Sequence, residues 1–143
     1  SPSNQYLITN ATYTNPNNYT MSLWFRSSSN SVVLAGLNTE NTADGNTTNH
    51  DRQLFINRFG QIAFRVANNA NIITSAQAYN DNNWHHVAAT LSPRGIKIYV
   101  DGDLVASNSL VTSGSGLTGY WRFGRSQMCC YGGLHIETNV RNF

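Results

Sequence analysis

The stretch Trp84-His85-His86-Val87-Ala88-Ala89-Thr90, followed after a short turn by Gly95-Ile96-Lys97-Ile98-Tyr99-Val100-Asp101-Gly102, decides how this chain is read. Val87, Ala89 and Leu91 alternate with His86, Ala88 and Thr90, and Ile96, Ile98 and Val100 alternate with Lys97 and Tyr99. Successive side chains of a strand point to opposite faces, so a period of two with one apolar register marks a strand buried on one side. Ser92-Pro93-Arg94-Gly95 fits a tight turn between these strands. Asp101-Gly102, placed before Leu104-Val105-Ala106, is a hairpin signal, because both residues tolerate the positive φ that two-residue turns demand.

The same period runs outward from this hairpin. Tyr19, Met21, Leu23 and Phe25 alternate with Thr20, Ser22, Trp24 and Arg26, and Ile62, Phe64 and Val66 alternate with Ala63 and Arg65. No window carries an apolar stripe of helical period with capping residues. Asn15-Pro16-Asn17-Asn18, Asn68-Asn69, Asn80-Asp81-Asn82-Asn83 and Ser113-Gly114-Ser115-Gly116 supply turn chemistry between the strands. The longest loop candidate runs from Asn38 to Asp51. About ten to twelve short strands in one unit of this size predict an all-β, antiparallel two-sheet sandwich. The expected core includes Leu7, Met21, Leu23, Phe25, Val33, Leu54, Ile56, Ile62, Phe64, Val66, Val87, Ala89, Ile96, Ile98, Val100, Trp121 and Phe123.

With 143 residues, of which 40% are hydrophobic, the chain has room for one core, and no repeat, linker or charge block divides it. A single domain over residues 1–143 is expected; the stop at Phe143, directly after an apparent strand, suits a domain that is part of a longer protein. Only 11% of residues are charged, and the polar share falls instead to Asn, Ser and Thr, with twenty Asn. The net charge of +2 comes from eight Arg and Lys97 spread along the chain. A nucleic-acid partner would call for a clustered basic stripe, and none is present. No apolar run approaches the length of about 18 residues that a membrane span needs, so no direct membrane insertion is expected.

Cys129 and Cys130 are adjacent and match neither a disulfide framework nor a zinc spacing. Two thiols, a vicinal disulfide, and partners for cysteines of another chain all fit. Asn10-Ala11-Thr12, Asn18-Tyr19-Thr20 and Asn46-Thr47-Thr48 have the glycosylation spacing, which has meaning only on a eukaryotic secretory route.

The hairpin from Trp84 to Gly102 resembles the signature hairpin of laminin-G-like domains, members of the concanavalin A-like lectin/glucanase jelly rolls. Tyr19-Thr-Met-Ser-Leu-Trp-Phe-Arg26 is similar to their early strand, and Tyr120-Trp-Arg-Phe-Gly-Arg-Ser126 to the strand entering the final loop. Gly133-Leu-His-Ile-Glu-Thr138 stands where the family usually has Gly-x-Ile-Asp-Glu-Val, with His135 and Ile136 replacing Ile-Asp and Glu137 retained. The resemblance implies a concanavalin A-like jelly roll and leaves the ligand open, because such domains bind sugars, proteins and lipids.

Retaining glucanases of that superfamily carry alternating acids on one strand, because two carboxyl groups about 5 Å apart must act as nucleophile and acid. Here the only Glu residues, Glu40 and Glu137, form no such motif, and Asp101 with Asp103 flanks a turn glycine, so no catalysis is expected. His85 shares the register of Val87 and Ala89 and reads as a hydrogen-bonded core histidine, whereas His86 lies on the opposite face with Trp84 and Ala88. By the same parity Trp24, Arg26, Lys97, Tyr99, Tyr120 and Arg122 point away from the core. One outer face presenting Trp24, His86, Tyr99, Tyr120 and Arg122 would suit a sugar, with rings stacking on its apolar side and Arg or His bonding its hydroxyls; cover by a loop or a third sheet is the competing reading. Arg125 and Tyr131, beside Gln127 in the loop Gly124–Gly133, form a second candidate, against a plain surface loop. The resemblance also raises calcium, with Asp44 and Asp51 as oxygen ligands near Glu40 and Asn46, against a solvated polar loop.

The function expected is therefore a carbohydrate-binding recognition module of an extracellular, cell or virion surface, used in adhesion or attachment, with a glycan or glycoprotein as partner. The alternative is a structural or protein-interaction domain, an oligomer or a subunit of a larger surface assembly, with no sugar site.

Overall fold

The computed structural model describes residues 6–41 and 49–124 of the chain. Among the described residues there are eleven strands: β1 (Leu7–Ile8), β2 (Tyr13–Thr14), β3 (Tyr19–Phe25), β4 (Val32–Asn38), β5 (His50–Ile56), β6 (Gln61–Arg65), β7 (Ile72–Ala78), β8 (His85–Ser92), β9 (Gly95–Val100), β10 (Asp103–Asn108) and β11 (Thr118–Phe123). The larger sheet runs β1-β11-β4-β5-β6-β7, with β2 also paired to β11; the smaller runs β10-β9-β8-β3. Every pairing is antiparallel. The two-sheet sandwich expected from the period of two is what the chain forms.

Both predicted turns close strands. Asp101 and Gly102 take φ of 52° and 88° and join β9 to β10, so that Val100 faces Asp103. Pro93 and Arg94 turn β8 into β9, and Gly95 follows at φ 106°, where a Cβ would run into the backbone at Asn108 and Ser109. Only glycine fits that approach.

The core lies between the sheets. Met21, Leu23, Phe25, Val87, Ala89, Leu91, Ile96, Ile98 and Val100 of the smaller sheet meet Val32, Leu34, Leu54, Ile56, Ile62 and Phe64 of the larger. Trp121 and Phe123 pack against this cluster while remaining half-buried. Leu7 is a correction: on a two-residue strand at the edge of the larger sheet it stays 40% exposed. Val33 is buried, yet outside the central cluster, because the strand alternation carries it to the other face of β4, opposite Phe55. All of β4 is buried, as is β5 from Asp51 onward, so these two strands are covered on both faces.

Candidate functional site

The outer face of the smaller sheet carries exposed Trp24, with exposed Trp84 beside it, while the other exposed aromatics, Tyr13 on β2 and Phe59 between β5 and β6, belong to the larger sheet. Trp24 on β3 lies directly opposite His86 on β8, with ring centroids 5.3 Å apart. One step along, Ser22, Ala88 and Tyr99 stand in cross-strand register, and Leu104 of β10 continues the row beside Tyr99. Ser22 and Ala88 are short, so the rings flank a low floor. Trp24 is 51% exposed and Trp84 40% exposed. The Arg26 guanidinium lies 5.7 Å from the Trp84 ring centroid, within cation–π reach. The alternation of β3 forces this outcome: with Met21, Leu23 and Phe25 committed to the core, Thr20, Ser22 and Trp24 have only solvent to face.

Beneath this face His85 is held at both ring nitrogens. Nδ1 lies 2.8 Å from Asp101 Oδ2 and Nε2 lies 2.9 Å from Asp81 Oδ1. Asp101 Oδ1 also accepts the His86 N–H at 2.8 Å. Burial disfavours the charged imidazole, but the hydrogen bonds and attraction of Asp101 and Asp81 outweigh it and raise its pKa above 6.5. The backbone N–H of Asn83, the His85 ring and the Asn83 amide hold Asp81 down at about 2. The expectation of a hydrogen-bonded histidine turned toward the core describes His85, whose ring lies 5.7 Å from that of Phe25.

Tyr120 and Arg122 do not join this face. Their strand, β11, belongs to the larger sheet, where Tyr120 stands opposite Asn38 and Arg122 opposite Gly36. The single five-residue face expected from parity is therefore divided between two sheets, with only Trp24, His86 and Tyr99 together. Arg122 is moreover fully buried, donating from Nη1 to the Glu40 carbonyl at 3.2 Å and lying 6.0 Å from the Tyr6 ring. Its face of the larger sheet also carries the buried Gln53, packed over Gly36 and donating to Asn38 Oδ1 at 3.3 Å.

Asp51 is likewise displaced from its expected loop. It lies in β5, 3% exposed, and its two oxygens accept five hydrogen bonds. Oδ1 takes the backbone N–H groups of Arg52 and Ala67, both at 2.6 Å. Oδ2 takes Arg52 Nη1 at 2.9 Å and the backbone N–H and hydroxyl of Ser115 at 2.8 and 2.6 Å. A carboxylate so filled has no lone pair left for a calcium ion, so the side chain as it stands does not fit that role. Among the described residues no three His, Cys, Asp or Glu side chains converge as metal ligands. Asp44, Arg125, Tyr131 and the Cys129–Cys130 pair lie outside the described residues.

A family model described as the concanavalin A-like lectin/glucanases superfamily, of laminin G type, matches residues 1–135. The chain belongs to this family. Solved structures agree on the fold of this laminin-G-like chain. The LG1-3 region of the laminin alpha2 chain is 16% identical, with a TM-score of 0.55, over 94% of this chain and 27% of that one. Domains LG4-5 of the mouse laminin alpha1 chain are 22% identical, with a TM-score of 0.53, over 91% and 38%. The native heptameric SAP-like pentraxin from Limulus polyphemus is 16% identical, with a TM-score of 0.58, over 94% and 64%. The chain thus spans between about a quarter and just under two thirds of these structures. No curated protein was found to match it in sequence.

Within this laminin-G-like sandwich, Trp84 and Arg26 belong to the aromatic face, although the sequence reading left them out of the site. The parity of β8 already placed Trp84 beside His86, and that was the usable signal. Asp81 carried no signal, because a loop has no period from which to read a partner for His85.

Proposed function

We propose that this domain is a non-catalytic recognition module that binds carbohydrate on the outer face of its smaller sheet, on an extracellular, cell or particle surface, in adhesion or attachment. The observation that carries this reading is the pairing of half-exposed Trp24 with His86, next to Tyr99 and the Arg26–Trp84 stack. Exposed aromatics in a contiguous patch mark a contact surface. A pyranose stacks its C–H face on such rings, while the imidazole, the phenol and Ser22 reach its hydroxyls. The Asp101 carboxylate is engaged with His85 and the backbone of His86, which leaves no closely spaced free pair there for glycoside hydrolysis.

The test is binding of the purified domain to a panel of immobilised glycans, with Trp24→Ala and Tyr99→Ala beside the parent. A loss of tenfold or more, about 1.4 kcal/mol, with the strand signal in circular dichroism retained, is the expected result. Binding that survives both changes would sink the outer-face site.

One observation favours a second reading, an interface with another protein. Leu104, 53% exposed, extends the face beside Tyr99 with apolar surface that a sugar does not need. Light scattering after size exclusion separates the two: a stable oligomer that dissociates on Leu104→Glu supports an interface, and a clean monomer supports the sugar.

A further inference from the structure

We propose that His85, gripped between Asp81 and Asp101, is a proton-operated clamp that positions Trp84 at the aromatic face, holding it while the imidazole carries both protons and loosening it when one is lost. Its consequence for binding rests on the sugar reading above; the clamp itself is a property of the free protein.

The geometry requires both protons. Carboxylates only accept hydrogen bonds, and a neutral imidazole has a single N–H. Contacts of 2.8 Å to Asp101 and 2.9 Å to Asp81 are therefore both hydrogen bonds only in the imidazolium. Loss of one proton turns one contact into a lone pair facing a carboxylate, which repels.

The Asp101 arm is the one that stays. Asp101 Oδ1 accepts the His86 N–H, and its own N–H donates to the His86 carbonyl, both at 2.8 Å. Asp81 is in the connection between β7 and β8, exposed, and its other bonds run to Asn83 of the same connection. That connection ends in Trp84, under Arg26, and is tied to the end of β3 through Asn82 N–H and the Ser27 carbonyl at 3.0 Å. Release of Asp81 therefore removes the tie between this connection and β8 that lies nearest Trp84, while Asn82 to Ser27 and Asn80 to Asn30 Oδ1 at 2.6 Å keep the rest of the connection in place, so the loosening is local to Trp84.

The other groups facing the imidazole do not compete for its proton. The Tyr79 ring meets it edge-on at 5.2 Å, and burial, with Asp101 and Asp103 nearby, makes that phenol less acidic, so it stays neutral. Phe25 packs from β3 without charge. His86 follows on β8 and acts on Asp101, favouring its ionised form. His85 is thus a positioning residue, acting through Asp81.

The experiment is an NMR titration of the free domain from acid to alkaline pH, following His85 Cε1–H and the Trp84 indole N–H, the latter assigned with Trp84→Phe. His85 is expected to titrate above 6.5, and the Trp84 indole to move with the same midpoint. Asp81→Asn is expected to lower the His85 midpoint and to abolish the Trp84 movement. A Trp84 signal indifferent to His85 in the parent, or an Asp81→Asn midpoint equal to the parent's, overturns the clamp. Glycan binding measured on either side of that midpoint then tests the other reading separately: coupled titrations with no glycan bound at either pH leave the clamp standing and remove the sugar.

Discussion

Asp51 and Arg52 are neighbours in sequence and partners in the interior, their side chains joined at 2.9 Å and exposed to 2% and 0%. Arg52 sits in β5 with φ of 54°, a left-handed conformation uncommon for a residue with a Cβ. Around it stand the Asp51 carboxylate, the carbonyls of Pro16 and Ser115, and the side-chain oxygens of Asn15 and Asn17. Five acceptors meet the five N–H donors of a guanidinium. The arrangement ties three stretches of chain, residues 15–17, 51–52 and 115, into one rim of the sandwich.

Arg52→Ala is accordingly expected to cost about 3–5 kcal/mol, because it leaves the Asp51 charge buried without its cation. Arg52→Lys keeps the charge but cannot serve five acceptors with three donors, so it should fall between the parent and Arg52→Ala. Urea unfolding monitored by tryptophan fluorescence measures both. Equal stability of all three proteins would show that the network contributes nothing.

Trp24 should separate binding from stability. Its ring is half-exposed and its core-facing neighbours Leu23 and Phe25 are untouched by a change at position 24, so what it adds to folding is mainly the cross-strand contact with His86. Such pairs contribute roughly 0.2–1 kcal/mol. Trp24→Ala is thus expected to shift the urea midpoint slightly while removing glycan binding. A destabilisation comparable to that of Arg52→Ala would mean that the ring is structural.

The sequence was most legible where one face of a strand is buried and the other wet. In β3, β8 and β9 a strict period of two identified the faces and put Trp24, His86 and Tyr99 on the outer one, and Gly and Pro marked the turns; the register that sets Trp24 opposite His86 came from the structure. The period failed where that asymmetry disappears. Parity told that Tyr120 and Arg122 point away from Trp121 and Phe123, but parity says which side of its own sheet a residue takes and not which sheet it is in. Asp51 and Arg52 look like a loop end because charges usually seek water, and only a network spread over distant stretches makes their burial tolerable. Leu7 looks like core because it is apolar, yet a two-residue edge strand cannot bury it.

Tyr19 gives a prediction of opposite sign to these. Its hydroxyl is buried and finds no hydrogen-bond partner among the described residues, and burial makes the phenol less acidic than usual. The ring itself is well used, packing on Trp121 with centroids 4.8 Å apart. Tyr19→Phe keeps the ring and removes the orphaned oxygen, so it is expected to be neutral or to stabilise by up to about 1 kcal/mol. Urea unfolding that shows a loss of more than that would reveal a bond made by the hydroxyl.

The clamp predicts a stability profile with two flanks. His85 is more basic in the folded protein than its ordinary 6.5, so the stability it adds is complete below that value and is lost as the pH rises through its folded pKa. Asp81 works from the other side: lowered from 3.8 to about 2, it adds stability that is complete above 3.8 and is lost as the pH falls toward 2. Asp101, also lowered, adds to the same acid flank. The joint contribution of these three groups is therefore complete between about pH 4 and 6.5 and falls on both sides, superimposed on a loss below 6.5 from His50, whose imidazole is made less basic by burial; thermal melts of the parent against His85→Gln isolate the His85 part. His85→Gln should flatten the alkaline flank, because no group with a raised imidazole pKa remains there, and should weaken the acid flank as Asp81 and Asp101 lose their common partner. An alkaline flank unchanged in His85→Gln would assign the pH dependence to another group.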